Sequence, residues 1–162
     1  MAVKERKGIA DYLNTSTSEG TETYSLMGAG FTKLDESPAA LTSSKRYVND
    51  KSATKSVIGY DSSFPFETDQ IVSEPAVKFI VNIGEKRLTG AEAETSYIRV
   101  DLDKKVGASG TEYEARKFNV AVEVVDFADS EGEMTATGNL LTKGDMIEGK
   151  FDITTKTFTE TV

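Results

Sequence analysis

The 162-residue sequence contains no cysteine, no histidine and no tryptophan. Without cysteine the chain can form no disulfide and no thiolate metal site. Without histidine it lacks the commonest general base and the commonest zinc ligand. Carboxylate-only chemistry remains possible, but the carboxylate motifs described below favour it only weakly, so we expect no catalytic site, no metal site and no cofactor.

Long apolar runs are also missing. No stretch approaches the roughly 20 apolar residues that a transmembrane helix needs. The first residues, MAVKERKGIADYLN, lack the apolar core of a signal peptide. These features predict a protein that is made in a cytoplasm and has no membrane partner.

Acidic residues outnumber basic ones by 27 to 19, which gives a formal net charge of −8. Nonspecific binding to nucleic acid needs Lys and Arg to displace phosphate counterions, so a body this acidic should repel DNA. The excess charge also agrees with a simple role in solubility. The length fits a single domain, residues 1–162, with a genuine core.

The first half of the chain predicts a polar N-terminal arm and three strands. Residues 1–22 are rich in Ser, Thr and Glu, which is typical of an arm without its own core. The predicted strands are 23–34, 53–61 and 64–71. The first two would form a hairpin whose tip is the long loop 35–56, and Pro65 places the third at an edge or a strand start.

One helix is predicted over residues 74–84. Ser73 is a suitable N-cap, and Gly84 is placed to end the helix. Apolar side chains follow the spacing of one helical face at Ala76, Phe79, Ile80 and Ile83.

After the helix the apolar residues alternate, which is typical of strands with one apolar face. The alternating segments are 97–102, 118–124, 134–140 and 147–153, with turn signals DSEGE at 129–133 and KGD at 143–145. The last three strands are predicted to form an antiparallel meander. The fold class is therefore mainly β, an antiparallel β-sandwich or partial barrel with one flanking α-helix.

Three motifs have weak chemical interpretations. Gly28-Ala-Gly30 begins like a dinucleotide fingerprint, but no βαβ unit follows it. The acidic turn of Asp126, Asp129, Glu131 and Glu133 has oxygen ligands without the spacing of an EF-hand loop, so a solvated hairpin tip is favoured over a cation site. The carboxylate pairs Asp101–Asp103 and Glu148–Asp152 lie on polar strand faces, where carboxylates are expected anyway.

The loop 35–56 stands apart because loops this long are usually either functional or disordered. Between positions 45 and 55 it has four cations and one acid: Lys45, Arg46, Lys51 and Lys55 against Asp50. A basic loop on an acidic body favours a head-to-tail contact with another copy, which closes into a ring or continues as a filament. A disordered surface loop is the alternative, and the residues alone leave both open.

Over residues 20–160 the chain resembles the major tail tube proteins of long-tailed bacteriophages, especially those with non-contractile tails. The segments that carry the resemblance are "VKFIVNIGEKRLTGAEAETSYIRVDL", "FNVAVEVVDFADSEGEMTATGNL" and "KGDMIEGKFDITTKTFT". None of them is a catalytic signature. The resemblance therefore rests on the pattern and order of elements.

The resemblance implies a structural virion protein that assembles into hexameric rings, which stack into the tube through which DNA passes. Loop 35–56 would then contact the adjacent ring through Lys45, Arg46, Lys51 and Lys55. The implied partners are further copies of the chain, a tape measure protein, and tail terminator and tail tip proteins. The implied location is the virion tail, after assembly in the bacterial cytoplasm.

The same resemblance implies a lumen along which DNA slides without specific binding. Carboxylates and hydroxyls suit such a surface because they repel phosphates or make no strong contact with them. The candidates on the polar strand faces are Glu123, Thr135, Thr137 and Asn139.

Three alternatives stay open. One is the tube protein of a contractile tail or of a phage-tail-like bacteriocin, which shares the fold. The second is a β-sandwich module that binds a glycan or a protein. The third and least favoured is an enzyme, which would need a carboxylate-only site in a pocket.

Overall fold

The computed structural model describes residues 2–16, 20–108 and 110–161. In these residues it has eleven strands, one α-helix and two short 3-10 helices, Arg6–Gly8 and Gly90–Ala93. The strands before the helix are β1 Ile9–Asn14, β2 Tyr24–Leu26, β3 Phe31–Leu34, β4 Ala40–Lys45, β5 Thr54–Tyr60 and β6 Ser63–Asp69. The helix α1, Pro75–Lys86, is followed by β7 Glu94–Lys105, β8 Glu112–Ser130, β9 Glu133–Thr142, β10 Ile147–Asp152 and β11 Thr157–Glu160.

Nine of the strands form one antiparallel sheet in the order β2-β1-β7-β8-β9-β6-β3, with β10 and β11 attached beside β8. The predicted meander is correct for β8 and β9 but wrong for β10, which pairs with the first half of β8. The reason is the length of β8. Its 19 residues offer one edge on which β10 and β9 lie one after the other.

Both faces of this sheet carry a core. On one face α1 covers a cluster that includes Leu13, Phe64, Tyr97 and Phe118. On the other face the Tyr12 and Phe151 rings lie 4.6 Å apart, although β7 and β8 separate their strands in the sheet. The sheet therefore curls strongly, and the predicted mainly β fold with one flanking helix is confirmed.

The prediction of residues 1–22 as an arm without a core is wrong where β1 forms. β1 pairs with both β2 and β7, and Leu13 is fully buried. Because the residues around β1 are mostly polar, the alternation of Asp11 and Leu13 with Tyr12 is too short to predict a strand. Pairing with other strands decides the structure of such short segments. Residues 1 and 17–19 lie outside the described part of the chain.

The helix occupies Pro75–Lys86 and so extends two residues beyond the predicted 74–84. Its N-cap is Glu74, without a side-chain bond, and Pro75 occupies the first turn. Gly84 does not end the helix. It allows α1 to approach β8, because a Cβ at this position would lie 2.5 Å from the Phe127 ring and 2.8 Å from a Val124 methyl group.

The prediction of 35–56 as a loop between two paired strands is wrong in its pairing. β4 and β5 pair with each other as a separate two-stranded sheet, while β3 pairs with β6. We call residues 38–62, which contain β4 and β5, the finger. Its base is closed by the Ser37–Ser63 bridge.

Candidate functional site

The finger projects from the body with its side chains in solvent. In β4 and β5 every residue is exposed except Ser43 and Gly59, which are half-buried. Across the whole finger six large apolar side chains are exposed, four in the two strands and two in the turn between them: Leu41, Val57, Ile58 and Tyr60, and Tyr47 and Val48. An isolated two-stranded hairpin is marginally stable in water, and contiguous exposed apolar residues mark interaction surfaces.

The four predicted contact cations lie together at the finger's outer end. Lys45 ends β4, Lys55 lies near the start of β5, and Arg46 and Lys51 lie in the turn between them. All four are exposed, and within the described residues none forms an ion pair with its own chain. The structure therefore brings these four residues to one tip, while their role in an inter-ring contact stays a prediction.

The finger's root is held to the body by a charged contact. Both terminal nitrogens of Arg116 on β8 donate to the Glu36 carboxylate, at 2.7 and 2.9 Å. These two hydrogen bonds lower the pKa of Glu36, with added attraction from the charges of Arg116 and Arg99 and partial burial acting against them. Glu36 precedes the finger by two residues, so this contact fixes where the finger leaves the sheet.

A second set of polar groups continues this contact into the protein. Asp11 is almost fully buried and accepts hydrogen bonds from Arg6, at 2.6 Å, and from the Tyr97 hydroxyl. Arg99 lies 3.6 Å from Asp11 and 3.9 Å from Glu36, so it joins the two carboxylates. Burial and the Asp11 charge raise the pKa of Tyr97 well above its usual value. We call Arg6, Asp11, Glu36, Tyr97, Arg99 and Arg116 the root network.

The four predicted lumen residues lie on one face of the sheet. Asn139 is paired with Glu123 across β8 and β9, and its amide donates to the Glu123 carboxylate at 2.8 Å. Thr137 and Thr135 follow on the same face of β9, opposite the side that buries Ala136 and Leu140. Glu123 is exposed, Thr137 and Asn139 are half-buried, and Thr135 is buried. They form a continuous polar strip, and its position in a lumen stays a prediction.

Two of the remaining sequence motifs lie in turns between strands. Gly28 and Gly30 lie in the turn between β2 and β3, and Gly30 adopts a positive φ of 88°. The acidic turn joins β8 to β9, where Asp129 caps the turn by accepting from the Gly132 amide at 2.8 Å. No group of three or more potential ligands among the described side chains is arranged to hold a metal ion. No helix in the described ranges has the length and apolarity to cross a bilayer.

The root network is the feature that sequence reasoning missed. Tyr97 and Arg99 alternate with Ile98 and Val100, which suggested a polar outer face. Instead all four side chains are buried, because α1 and Phe64 cover one face and the Tyr12–Phe151 contact covers the other. One sequence signal could have indicated this burial. An arginine alternates with a tyrosine on a strand whose other face carries bulky apolar residues.

The fold is similar to that of a chain in the cryo-EM structure of the anti-feeding prophage (AFP) baseplate, determined with six-fold symmetry. The TM-score is 0.51 at 11% sequence identity, and the match covers 91% of this chain and 95% of that chain. At this identity the likeness shows a shared fold. No protein-family model matches the sequence, and the comparison with curated proteins finds no match.

Proposed function

We propose that the protein is a structural component of a phage tail that self-assembles into stacked hexameric rings, forming the tube of a non-contractile tail. The observation that carries the proposal is the finger, which exposes six large apolar side chains and four cations beyond the body. The fold shared with a chain of a prophage baseplate supports a role in a tail-like assembly. The tube would be the conduit for DNA ejection into the host.

The physical argument starts from the finger's instability as an isolated element. Two strands without a third layer bury too little apolar surface to be stable on their own. A second copy of the chain would supply the missing layer. Charge favours the same partner, because the segment 35–56 carries a net +1 and the remainder of the chain −9. A contact between two different surfaces of one chain is heterologous, and it closes into rings or propagates along an axis.

The polar strip provides a surface suited to a DNA conduit. Glu123, Thr137 and Asn139 present a carboxylate, a hydroxyl and an amide, and Glu67 lies opposite Thr137 on the same face. Carboxylates repel phosphates, so DNA would slide along such a wall without the counterion release that drives its binding.

Several further properties belong to this proposal. The protein would have no enzymatic activity and no cofactor. Its partners would be its own copies, a tape measure protein, and tail terminator and tail tip proteins. It would be assembled in the host cytoplasm and reside in the virion tail.

A second candidate is a tube component of a contractile tail or phage-tail-like bacteriocin. The observation that favours it is that the structural neighbour belongs to a prophage baseplate. A gene for a sheath protein next to the gene for this chain would favour the contractile assembly.

The proposal is tested by negative-stain electron microscopy of the purified protein at rising concentration. Rings or hollow tubes of uniform width are the expected result. A protein that stays monomeric, also when the proteins that begin a tail are added, would contradict the proposal and favour a β-sandwich binding module.

A further inference from the structure

The finger and an apolar groove lie at opposite ends of the body. β6 begins at Ser63, beside the finger's base, and ends at Asp69, from which the chain leads to α1. Seven residues at about 3.3 Å each separate the two ends by roughly 20 Å. A body with different surfaces at its two ends has the geometry that a head-to-tail contact requires.

The groove lies between α1 and the segment that precedes it. Its volume is about 600 Å³, and Val72 in its wall is 84% exposed. Most of the side chains that form it are apolar, among them Ile71, Val72, Pro75, Phe79 and Val81. The twelve residues of α1 extend over about 18 Å, close to the roughly 20 Å of the finger's strands.

The acidic turn between β8 and β9 flanks this groove. Gln70, which lines the groove, donates its backbone amide to Met134 at 3.0 Å and its side-chain amide to the Thr135 carbonyl at 3.1 Å. Glu133 and Glu131 lie one and three residues before Met134 in this hairpin and are exposed. Carboxylates therefore lie beside the groove, at the end of the body away from the finger's cations.

We propose that the finger of one copy docks in the α1 groove of the next copy, with its basic tip against the acidic β8–β9 turn. The inference rests on the proposed self-assembly and names the surface that receives the finger. Two complementarities support it. Apolar side chains on one face of the finger, such as Val57 and Tyr60, would meet an apolar groove, and Lys51 and its neighbours would meet Glu131 and Glu133. Because the donor and acceptor ends lie along β6, repeated docking extends the assembly in the direction of that strand.

Cysteine crosslinking tests the proposal directly, because the natural chain has no cysteine. Ser52→Cys places a thiol at the finger's tip, and Ser130→Cys places one at the acidic turn. A mixture of these two single variants is oxidised under assembly conditions. The control mixture pairs Ser52→Cys with Thr155→Cys, an exposed position in the turn between β10 and β11.

We expect the Ser52–Ser130 mixture to form the mixed disulfide dimer at least tenfold faster than the control mixture. Assemblies that form normally while both mixtures crosslink at equal rates would overturn the docking site and leave the proposed function intact. A protein that neither assembles nor crosslinks in either mixture would overturn the self-assembly and the docking together.

A charge exchange supplies a second readout. Lys51→Glu with Lys55→Glu is expected to raise the protein concentration needed for assembly at least tenfold, and Glu131→Lys with Glu133→Lys to restore most of that loss. Val72→Glu in the groove should also block assembly, whereas Val3→Glu, at an equally exposed valine, should not. Failure of the charge exchange to restore assembly, together with unaffected assembly of Val72→Glu, would overturn the proposal.

Discussion

Arg116 on β8 holds Glu36 through two parallel hydrogen bonds of 2.7 and 2.9 Å, and this pair lies where the finger leaves the body. A bidentate contact fixes direction as well as distance, because the planar guanidinium can match a carboxylate in few orientations. The pair therefore sets the angle at which a two-stranded element, otherwise exposed, extends into solvent.

The first prediction concerns that angle. In a protein with spin labels at Ser52→Cys and Thr155→Cys, Arg116→Ala should broaden the distribution of distances between the labels, because the finger's root loses its directional contact. Pulsed electron spin resonance measures this distribution. Lys117→Ala, at the neighbouring position on β8, is the matched control, since Lys117 pairs with Glu22 and not with the root. An equal distribution in Arg116→Ala and the parent would show that the pair does not orient the finger.

The second prediction is the strength of the same pair. A double-mutant cycle with Glu36→Ala and Arg116→Ala should give a coupling free energy of about 1 kcal/mol, because the pair is bidentate but partly open to solvent. Chemical denaturation of the four proteins measures it. Lys104 and Glu114, at 3.6 Å and both well exposed, form the comparison pair, for which coupling near zero is expected. Equal coupling free energies in the two cycles would show that the Glu36–Arg116 pair is no stronger than an ordinary surface ion pair.

The third prediction concerns the stability of the fold at acidic pH. The pKa of Glu36 is lower in the folded protein than its ordinary value of 4.5, so its charged form stabilises the fold above that pH. This contribution begins to decrease when the pH falls below 4.5. It is lost once the pH is below the lower pKa that Glu36 has in the folded protein. The stability difference between the wild type and Glu36→Gln should therefore be largest above pH 4.5 and should shrink as the pH falls below that value. Denaturation curves over this range measure it, and a difference that stays constant would contradict the assignment.

Sequence reasoning was most reliable where one apolar face dominates. The alternation of Phe118, Val120 and Val122 predicted their strand, and the spacing of Ala76, Ile80 and Ile83 predicted the helix. It missed β1, and at β7 it predicted the strand but not the burial of charged residues such as Arg99, just as it missed the burial of Asp11. Their burial depends on partners from distant parts of the chain, and no local pattern reveals such a partner.

The finger shows a different limit. Its first residues are polar enough to predict a loop, and the prediction pairs the strand over 53–61 with the wrong partner, 23–34 instead of β4. The pairing of a strand depends on every other strand in the fold that could bond to its edge. Here β3 pairs with β6, whose Phe66 packs in the core, while β5 remains exposed. The cluster of four cations at the tip could be predicted, because it follows from their positions in the sequence and does not depend on which strands pair.

The fourth prediction tests close backbone packing between β8 and β9. At Gly138 an added Cβ would lie 1.9 Å from the Glu123 carbonyl oxygen, so the strands must separate locally to accept it. Gly138→Ala should therefore destabilise the fold by about 1–3 kcal/mol, the usual cost of overpacking. Thermal and chemical denaturation measure the loss. Gly59→Ala in the finger, where the nearest atom is 3.9 Å away, is the control and should change stability little.

The fifth prediction concerns the position of the polar strip in the proposed tube. Glu123 is exposed in the monomer and lies beside Asn139, so Glu123→Cys presents a reactive thiol on that strip. If the strip lines the lumen, a small gold cluster attached to this thiol should appear along the tube axis in electron micrographs. Wild-type tubes are the background control, since the chain has no cysteine to label. Gold along the outer edges of the tube would place Glu123, Thr137 and Asn139 on the outer wall. In the proposed conduit, the repulsion that would let DNA slide would then have to come from another face of the sheet.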